Sequence, residues 1–273
     1  MQPITTSVLY YLASSENPVT HQIQLGEEFE AMMQMNAGPW IDRLTPEEQA
    51  DWNRKITGPN PSSGCVFVKG VGPGDVLSIE FGPIQLEPIG YTKFGGNNGA
   101  MPGLLDIGPQ QKVVQIKDGL IHWSESIRIP VKPMLGFVAV APAWIESYPN
   151  TWGGYWGGNL DAQEVTTGTT LHLRVHHPGA LLSVGDMHAI QGDGEICGSG
   201  GIETGGRVRL RCKLNHGPSR RQQWPRFENQ THIGAIATGV PAQHAFHLAL
   251  TELLNWLNEA YKLPLGEAYM LLG

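Results

Sequence analysis

The sequence predicts a mostly β fold with helices near both termini. Three observations carry that expectation. The 35 glycines and 20 prolines are spread along the 273 residues and recur every few positions from Gly58 to Gly239. Such punctuation suits short strands joined by tight turns. The middle of the chain is made of short β-branched runs with period-two alternation. Helical signals, by contrast, are confined to the two ends.

Taken in order, residues 26–37 read G-E-E-F-E-A-M-M-Q-M-N-A, rich in helix formers. Thr45-Pro46-Glu47-Glu48 then carries a capping box. The Thr45 hydroxyl can take an orphan amide, Pro46 suits the first helical position, and Glu48 reaches back. This second helix is expected to end before Gly58. Strands follow at Cys65–Lys69, Val76–Phe81 and Lys112–Ile116. Ile127, Ile129 and Val131 alternate with polar neighbours. Leu171, Leu173 and Val175 do so too, with His172, Arg174 and His176 on the opposite face. In Arg207–Leu214 the apolar Val208, Leu210, Cys212 and Leu214 oppose Arg207, Arg209, Arg211 and Lys213. Such a basic face is ordinarily solvated or paired with carboxylates. Phe246, Ala249, Leu250, Leu253, Leu257 and Ala260 recur at helical spacing between Pro241 and Pro264, and a shorter helix is expected over Leu265–Leu272.

Composition narrows the function. The formal charge is -7, with 18 Lys+Arg against 25 Asp+Glu, which argues against a nucleic-acid footprint. No apolar run approaches the ~18 residues of a membrane span. The start lacks a basic segment followed by an apolar one, so no signal peptide is read. Cys65, Cys197 and Cys212 are an odd number without a C-x-x-C pair, which points to a reducing cytoplasm rather than a disulfide framework.

One segment concentrates chemistry. Residues 185–195 hold Asp186, His188, Gln191, Asp193 and Glu195 among three glycines, fed by the apolar run Ala180–Val184. By propensity this stretch is a poor strand and a poor helix. Its glycines let the backbone bend and bring side chains inward. Asp186 and His188 are two residues apart and point the same way on an extended backbone. Glu195 can return to the same place through the Gly192/Gly194 bend. Imidazole and carboxylate oxygen are ordinary ligands of divalent ions. Without a cation, three converging carboxylates would repel and one would hold a proton. The rival reading is a Gly-Asp turn with solvated acids.

Other stretches add candidates. Trp152–Asp161 repeats the two-residue spacing with Asn159 and Asp161, and Trp152, Tyr155 and Trp156 are candidates for walling a small pocket. Glu203 supplies a further carboxylate. Arg226 would either meet a carboxylate product or pair with Glu228. Surface positions are the simpler reading for His172, His176 and His177. His244 and His247 lack an H-E-x-x-H context, and Gly95-Gly-Asn-Asn-Gly lacks the lysine of a phosphate loop. Nothing near Cys197 marks it as a nucleophile.

The stretches G-N-L-D (158–161), G-A-L-L-S-V-G-D-M-H-A-I-Q-G-D-G-E-I-C-G (179–198) and G-I-E (201–203) resemble the acetamidase/formamidase family. Supporting pieces are G-C-V-F-V-K-G-V-G-P-G-D-V-L (64–77), I-P-V-K-P-M-L-G-F-V-A-V-A-P-A (129–143), W-P-R-F-E (224–228) and E-A-Y-M-L (267–271). The resemblance covers about residues 57–272 and treats 1–273 as one unit. Two interleaved subdomains would part near 95–108. It implies a jelly-roll-like β sandwich combined with a smaller α+β part, and hydrolysis of a short linear carboxamide to acid and ammonia. It also implies metal dependence, with Asp186, His188 and Glu195 at positions expected in the site. Asn159, Asp161, Gln191, Asp193 and Glu203 match other motif positions.

The resulting expectation is a cytoplasmic amidohydrolase holding a divalent ion, zinc first and calcium second. Asp186, His188, Asn159 and Asp161 are the expected ligands. Glu195, with His188 and Asp193, is expected to carry the catalysis. Gln191, Glu203 and Trp156 are expected against the small-molecule amide. No nucleic acid or membrane is expected as a partner, and a homo-oligomer is. Two rivals remain: a metal-independent carboxylate-pair hydrolase, and a non-catalytic β-sandwich binding module with a structural calcium ion.

Overall fold

The computed structural model describes residues 3–36, 58–95, 99–104, 108–215 and 221–273. The helix expected at Thr45 lies outside them. Early strands are β1 (Leu12–Ser14), β2 (His21–Gln24), β3 (Glu28–Met33), β4 (Ser62–Lys69) and β5 (Val76–Phe94). Then come β6 (Gln110–Lys117), β7 (Leu120–His122), β8 (Arg128–Pro130), β9 (Met134–Ala139), β10 (Ser147–Pro149), β11 (Gly153–Gly154) and β12 (Gly157–Asn159). The series closes with β13 (Thr170–Arg174), β14 (Leu182–Ile190), β15 (Ile202–Leu214), β16 (Arg226–Glu228) and β17 (Ile233–Ala235), then helices α1 (Ala242–Tyr261) and α2 (Leu265–Leu272). The fold is mostly β, as the sequence predicts.

The two long strands β5 and β15 pair antiparallel along most of their lengths and tie the molecule together. The first part of β5 pairs with β13, and its last part pairs with β6. A large core, including Leu77, Ile79, Phe137, Leu171, Leu182 and Leu210, lies beneath the first part. A smaller core of Val114, Ile116, Ile121, Ala189 and Ile202 lies beneath the second. The inner strands β9 and β14 are buried along nearly their whole lengths, although β14 carries Ser183, Asp186 and His188 among its apolar residues.

The helix expected over residues 26–37 is a strand instead. Phe29, Ala31 and Met33 are buried, whereas Glu28 and Glu30 alternate with them. That period of two fits a pleated strand, and pairing with β15 outweighs helix propensity. The same pairing explains the basic face of β15. Arg207 lies 3.5 Å from Glu30, Arg211 lies 3.3 Å from Glu28, and Lys213 lies 2.5 Å from Glu80. These exposed pairs set register more than stability.

Helix α1 packs through Glu252, Trp256 and Leu257. Glu252 accepts a 2.6 Å bond from Arg226 Nε, both side chains being about 2% exposed. Arg226 therefore meets neither a carboxylate product nor Glu228. Glu228 instead approaches His172, 3.3 Å away. His172, expected at the surface, is buried, with Ser78 Oγ 2.8 Å from its Nδ1 and the Trp256 ring in a T-shaped contact with it. Glu252→Ala leaves buried Arg226 with only the more distant Glu259, 3.8 Å away, and is expected to destabilise the protein by about 3 kcal/mol. Denaturant unfolding checks this; a loss below about 1 kcal/mol would show that water reaches the arginine.

Candidate functional site

The site is built where three elements meet. β14 carries Asp186 and His188, and the chain leaving β12 carries Asp161. β9 runs between them: it pairs with β14 through Phe137↔Gly185 and Leu135↔Met187, and with β12 through Phe137↔Asn159. This register sets Gly136 opposite Asp186. The Gly136 carbonyl accepts the amides of Leu160 and Asp161 at 2.8 and 3.2 Å, which turns Asp161 inward.

The stretch from Gly185 to Ile190 is therefore strand, contrary to its propensity. Ladders to β4, β9 and β15 hold it there. It is not a regular strand, because Asp186 has φ of 56°. Asn60, Asp161 and Glu195 are also left-handed, at 49°, 42° and 43°. Four non-glycine residues in the sparsely populated left-handed region thus line one cavity, which makes it the candidate site.

Asp161, Asp186 and His188 each bring a ligand atom within 4.8 Å of the others. His188 Nε2 lies 3.5 Å from Asp161 Oδ1 and 3.7 Å from Asp186 Oδ2, too far for hydrogen bonds. All three residues are substantially buried. Asp161 Oδ1, Asp186 Oδ1 and both His188 nitrogens lack any hydrogen-bond partner. Glu203 stands behind His188, its Oε2 3.9 Å from Nδ1. The other carboxylate oxygens are held by amides: Asn60 Nδ2 donates to Asp186 Oδ2 at 2.9 Å, and Asn159 Nδ2 donates to Asp161 Oδ2. Asn60 Nδ2 also donates to Asn159 Oδ1 at 2.8 Å.

Asn60, Gly136 and Gly200 went unnoticed in the sequence. Asn60 is anchored by Asn36, which donates to its Oδ1 at 2.7 Å, and by Asn150, which donates to its carbonyl at 2.8 Å. A Cβ on Gly136 would sit 2.6 Å from both Asp161 Oδ1 and Asp186 Oδ2 and 2.9 Å from His188 Nε2. A Cβ on Gly200 would sit 2.7 Å from His188 Nδ1. Only glycine allows the backbone this close. The lone signal in the sequence is the glycine itself, which many turns share.

Glu195 returns through the turn and faces the same cavity of about 390 Å³ as Asp161, Asp186 and Glu203. Its carboxylate accepts the Gly200 amide. Gln191 is buried and reaches the Asp161 carbonyl at 3.4 Å. Two candidates belong elsewhere. Asp193 is exposed, accepts a 2.5 Å bond from Gln163, and lines a separate cavity with Lys132 and His232. The bend that turns Glu195 inward carries Asp193 outward. Trp156 is core: it stacks on Tyr148 with centroids 4.0 Å apart and stands edge-on to Tyr155. Trp152 is exposed, and Tyr155 is tied to Glu146. None of the three aromatics is among the residues lining the carboxylate cavity.

Burial raises the pKa of Glu195, and the charge of Asp161 adds to it. Burial likewise raises those of Asp161 and Glu203. Burial alone would lower that of His188, but Glu203, Asp186 and Asp161 outweigh it and raise it well above the usual imidazole range. The pattern is one of carboxylates crowded around a single imidazole.

The acetamidase/formamidase family matches residues 146–232. Over nearly its whole length the chain superposes on the acetamidase from Bacillus halodurans, with a TM-score of 0.86 and 29% identity, covering 99% of this chain and 89% of that one. The chain thus resembles the acetamidase/formamidase family in sequence over residues 146–232 and in fold over nearly its whole length. The acetamidase from Yersinia enterocolitica gives a TM-score of 0.83 at 25% identity, covering all of this chain and 86% of that one. An acetamidase of Mycolicibacterium smegmatis is 44% identical over 61 residues, which is 22% of this chain and 15% of that protein. The curated relatives are thus matched over only 14–15% of their lengths. The segment matching the acetamidase/formamidase family holds Asn159, Asp161, Asp186, His188, Glu195 and Glu203; Asn60 and Gly136 lie outside it.

Proposed function

We propose that the chain is a metal-dependent amidohydrolase that converts a small linear carboxamide, of the formamide or acetamide kind, to its carboxylic acid and ammonia. The observation that carries this reading is the Asp161–Asp186–His188 group, buried around unpartnered oxygen and nitrogen atoms with Gly136 leaving the space between them open. The donor set fits a divalent ion, zinc first. Asp161, Asp186 and His188 would hold it. When bound, the ion polarises a carbonyl and lowers the pKa of coordinated water towards ~7.

The remaining work falls to the chain's own residues. Asn60 and Asn159 fix one oxygen of each aspartate, so the ligands are set before the ion arrives. Glu203 stands behind His188 and places negative charge beside its Nδ1. Glu195 takes a proton from the attacking water and returns it to the leaving nitrogen. Its raised pKa suits a group that must do both. Water adds across the C–N bond: oxygen joins the acyl carbon, and the nitrogen leaves as ammonia with Glu195's proton. Activity on formamide and acetamide, measured as ammonia released, tests the reading together with elemental analysis. Full activity after exhaustive chelation would sink the metal part. No turnover of any small amide by the zinc-loaded protein would sink the reaction.

Stability should report the ion independently. Asp161, Glu195, Glu203 and His188 all hold protons more tightly in the folded chain than unfolded. Their contribution is therefore lost as pH rises, from the ordinary carboxylate range near 4 upward, with the His188 share lost above its ordinary value of 6.5. A divalent ion binds the deprotonated forms. The stabilisation by added zinc is expected to grow between about pH 5 and about pH 8. Thermal melts of chelated protein with and without zinc check this; a shift independent of pH would oppose it.

All three cysteines are free, which supports a reducing, cytoplasmic setting. Leu265, Tyr269, Met270 and Leu271 of α2 are at least half exposed, which supports a homo-oligomer whose second copy covers them. Light scattering should give more than one chain per particle, and Met270→Glu with Leu271→Glu should reduce it to one. A monomeric wild type would end that idea.

A further inference from the structure

The carboxylate cavity does not end at the metal ligands. Lys93 lines it, and Lys93 also lines a second cavity of about 480 Å³. The turn after Glu195 joins the same boundary: Gly198 and Ser199 face the first cavity, and Cys197 faces the second. The two cavities thus share a wall made of one lysine and one turn. Each alone exceeds what formamide or acetamide requires, since a single water takes about 30 Å³.

The chemistry of the second cavity differs from that of the first. Its floor is the end of the β5–β6 pair, where Thr92↔Lys112 and Phe94↔Gln110 are cross-strand neighbours. Trp123 stands beside it, with Lys112 Nζ 5.0 Å from the centre of its ring. Neither Lys93 nor Lys112 forms an ion pair with a described residue. Phe94 adds a second aromatic surface. The first cavity is rich in carboxylates; the second offers two aromatic side chains, one with Lys112 over its ring, and two cations.

We propose that the second cavity is an acyl-group subsite, and that beside small linear amides the enzyme takes carboxamides whose acyl part is a flat ring bearing a carboxylate. This rests on the amidase reading above. The neutral carboxamide enters the acidic centre, the ring lies against Trp123, and the distal carboxylate meets Lys112. Orientation follows from charge. Reversed, the carboxylate would face Asp161, Asp186, Glu195 and Glu203. Lys93 lines both cavities and would offset the acids where the substrate crosses from one to the other.

The test uses the zinc-loaded full chain with 4-carbamoylbenzoate, benzamide and acetamide. Trp123→Leu keeps an apolar side chain in place, and Lys112→Met keeps the aliphatic stem. Lys112→Met is expected to lower kcat/KM for 4-carbamoylbenzoate about tenfold or more and to leave benzamide within twofold. Trp123→Leu is expected to lower kcat/KM for both ring amides about three- to tenfold and to spare acetamide. Titration calorimetry with 4-carbamoylbenzoate reads the subsite whether or not any amide turns over. Binding that weakens in both variants supports it. Wild-type protein that does not bind the probe, or variants that bind it as well as wild type, overturn it. Loss of acetamide and formamide turnover with binding intact would instead strike the amidase reading and leave the subsite standing.

Discussion

Glu195→Gln is expected to reduce ammonia release by about 10²–10⁴-fold while the bound metal stays near one wild-type equivalent. The substitution removes proton transfer and little else. A glutamine oxygen can still accept the Gly200 amide that holds the carboxylate now, so the turn keeps its shape. Glu195 lies outside the group whose ligand atoms converge within 4.8 Å, so the ion should not depend on it. The amide nitrogen is a poor leaving group unless protonated, which is why one carboxyl carries so large a share. Rate and metal content must be measured on the same preparation. Loss of the ion in this variant would make Glu195 a ligand, and an unchanged rate would remove it from the reaction.

Gly136→Ala should be as damaging, by a different route. The added methyl carbon would lie within 2.9 Å of one atom from each of Asp161, Asp186 and His188. Real contacts do not come that close, so the three side chains must part. Metal affinity is expected to fall by at least about 100-fold, the scale on which loss of ligand orientation acts, and activity with it. The backbone itself should tolerate alanine, because Gly136 is a strand residue in β9 with no left-handed φ. Alanine is favoured over glycine there by roughly 0.5–1 kcal/mol of chain entropy. The metal-free variant should therefore melt within a few degrees of wild type. Gly72→Ala, where a Cβ meets nothing within 4 Å, is the matched control. Zinc binding and turnover retained in Gly136→Ala would show that the centre lies elsewhere.

The legible part of the site was the part written in consecutive residues. The two-residue spacing of Asp186 and His188 placed both on one side of a strand, and Asn159 with Asp161 repeated it. The motif could not say that Asp193 and Glu195, also two apart, would separate. The left-handed Glu195 breaks the alternation that the spacing argument assumed. Trp156 misled for a related reason. An aromatic among glycines reads equally as a pocket wall or as core, and only packing against Tyr148 and Tyr155 decides. Asn60 had no local signal: it lies 126 positions from the aspartate it holds.

By itself, the sequence determined the mostly β class, the C-terminal helices and the stretch carrying the acids, because each depends on the period or chemistry of neighbouring residues. Tertiary structure decided that residues 28–33 are a strand, that Arg226 pairs with Glu252, and that Asn60, Gly136 and Gly200 lie against the Asp161–Asp186–His188 group. Each of those outcomes turns on a partner far along the chain, and local periodicity carries no information about which distant strand will lie alongside.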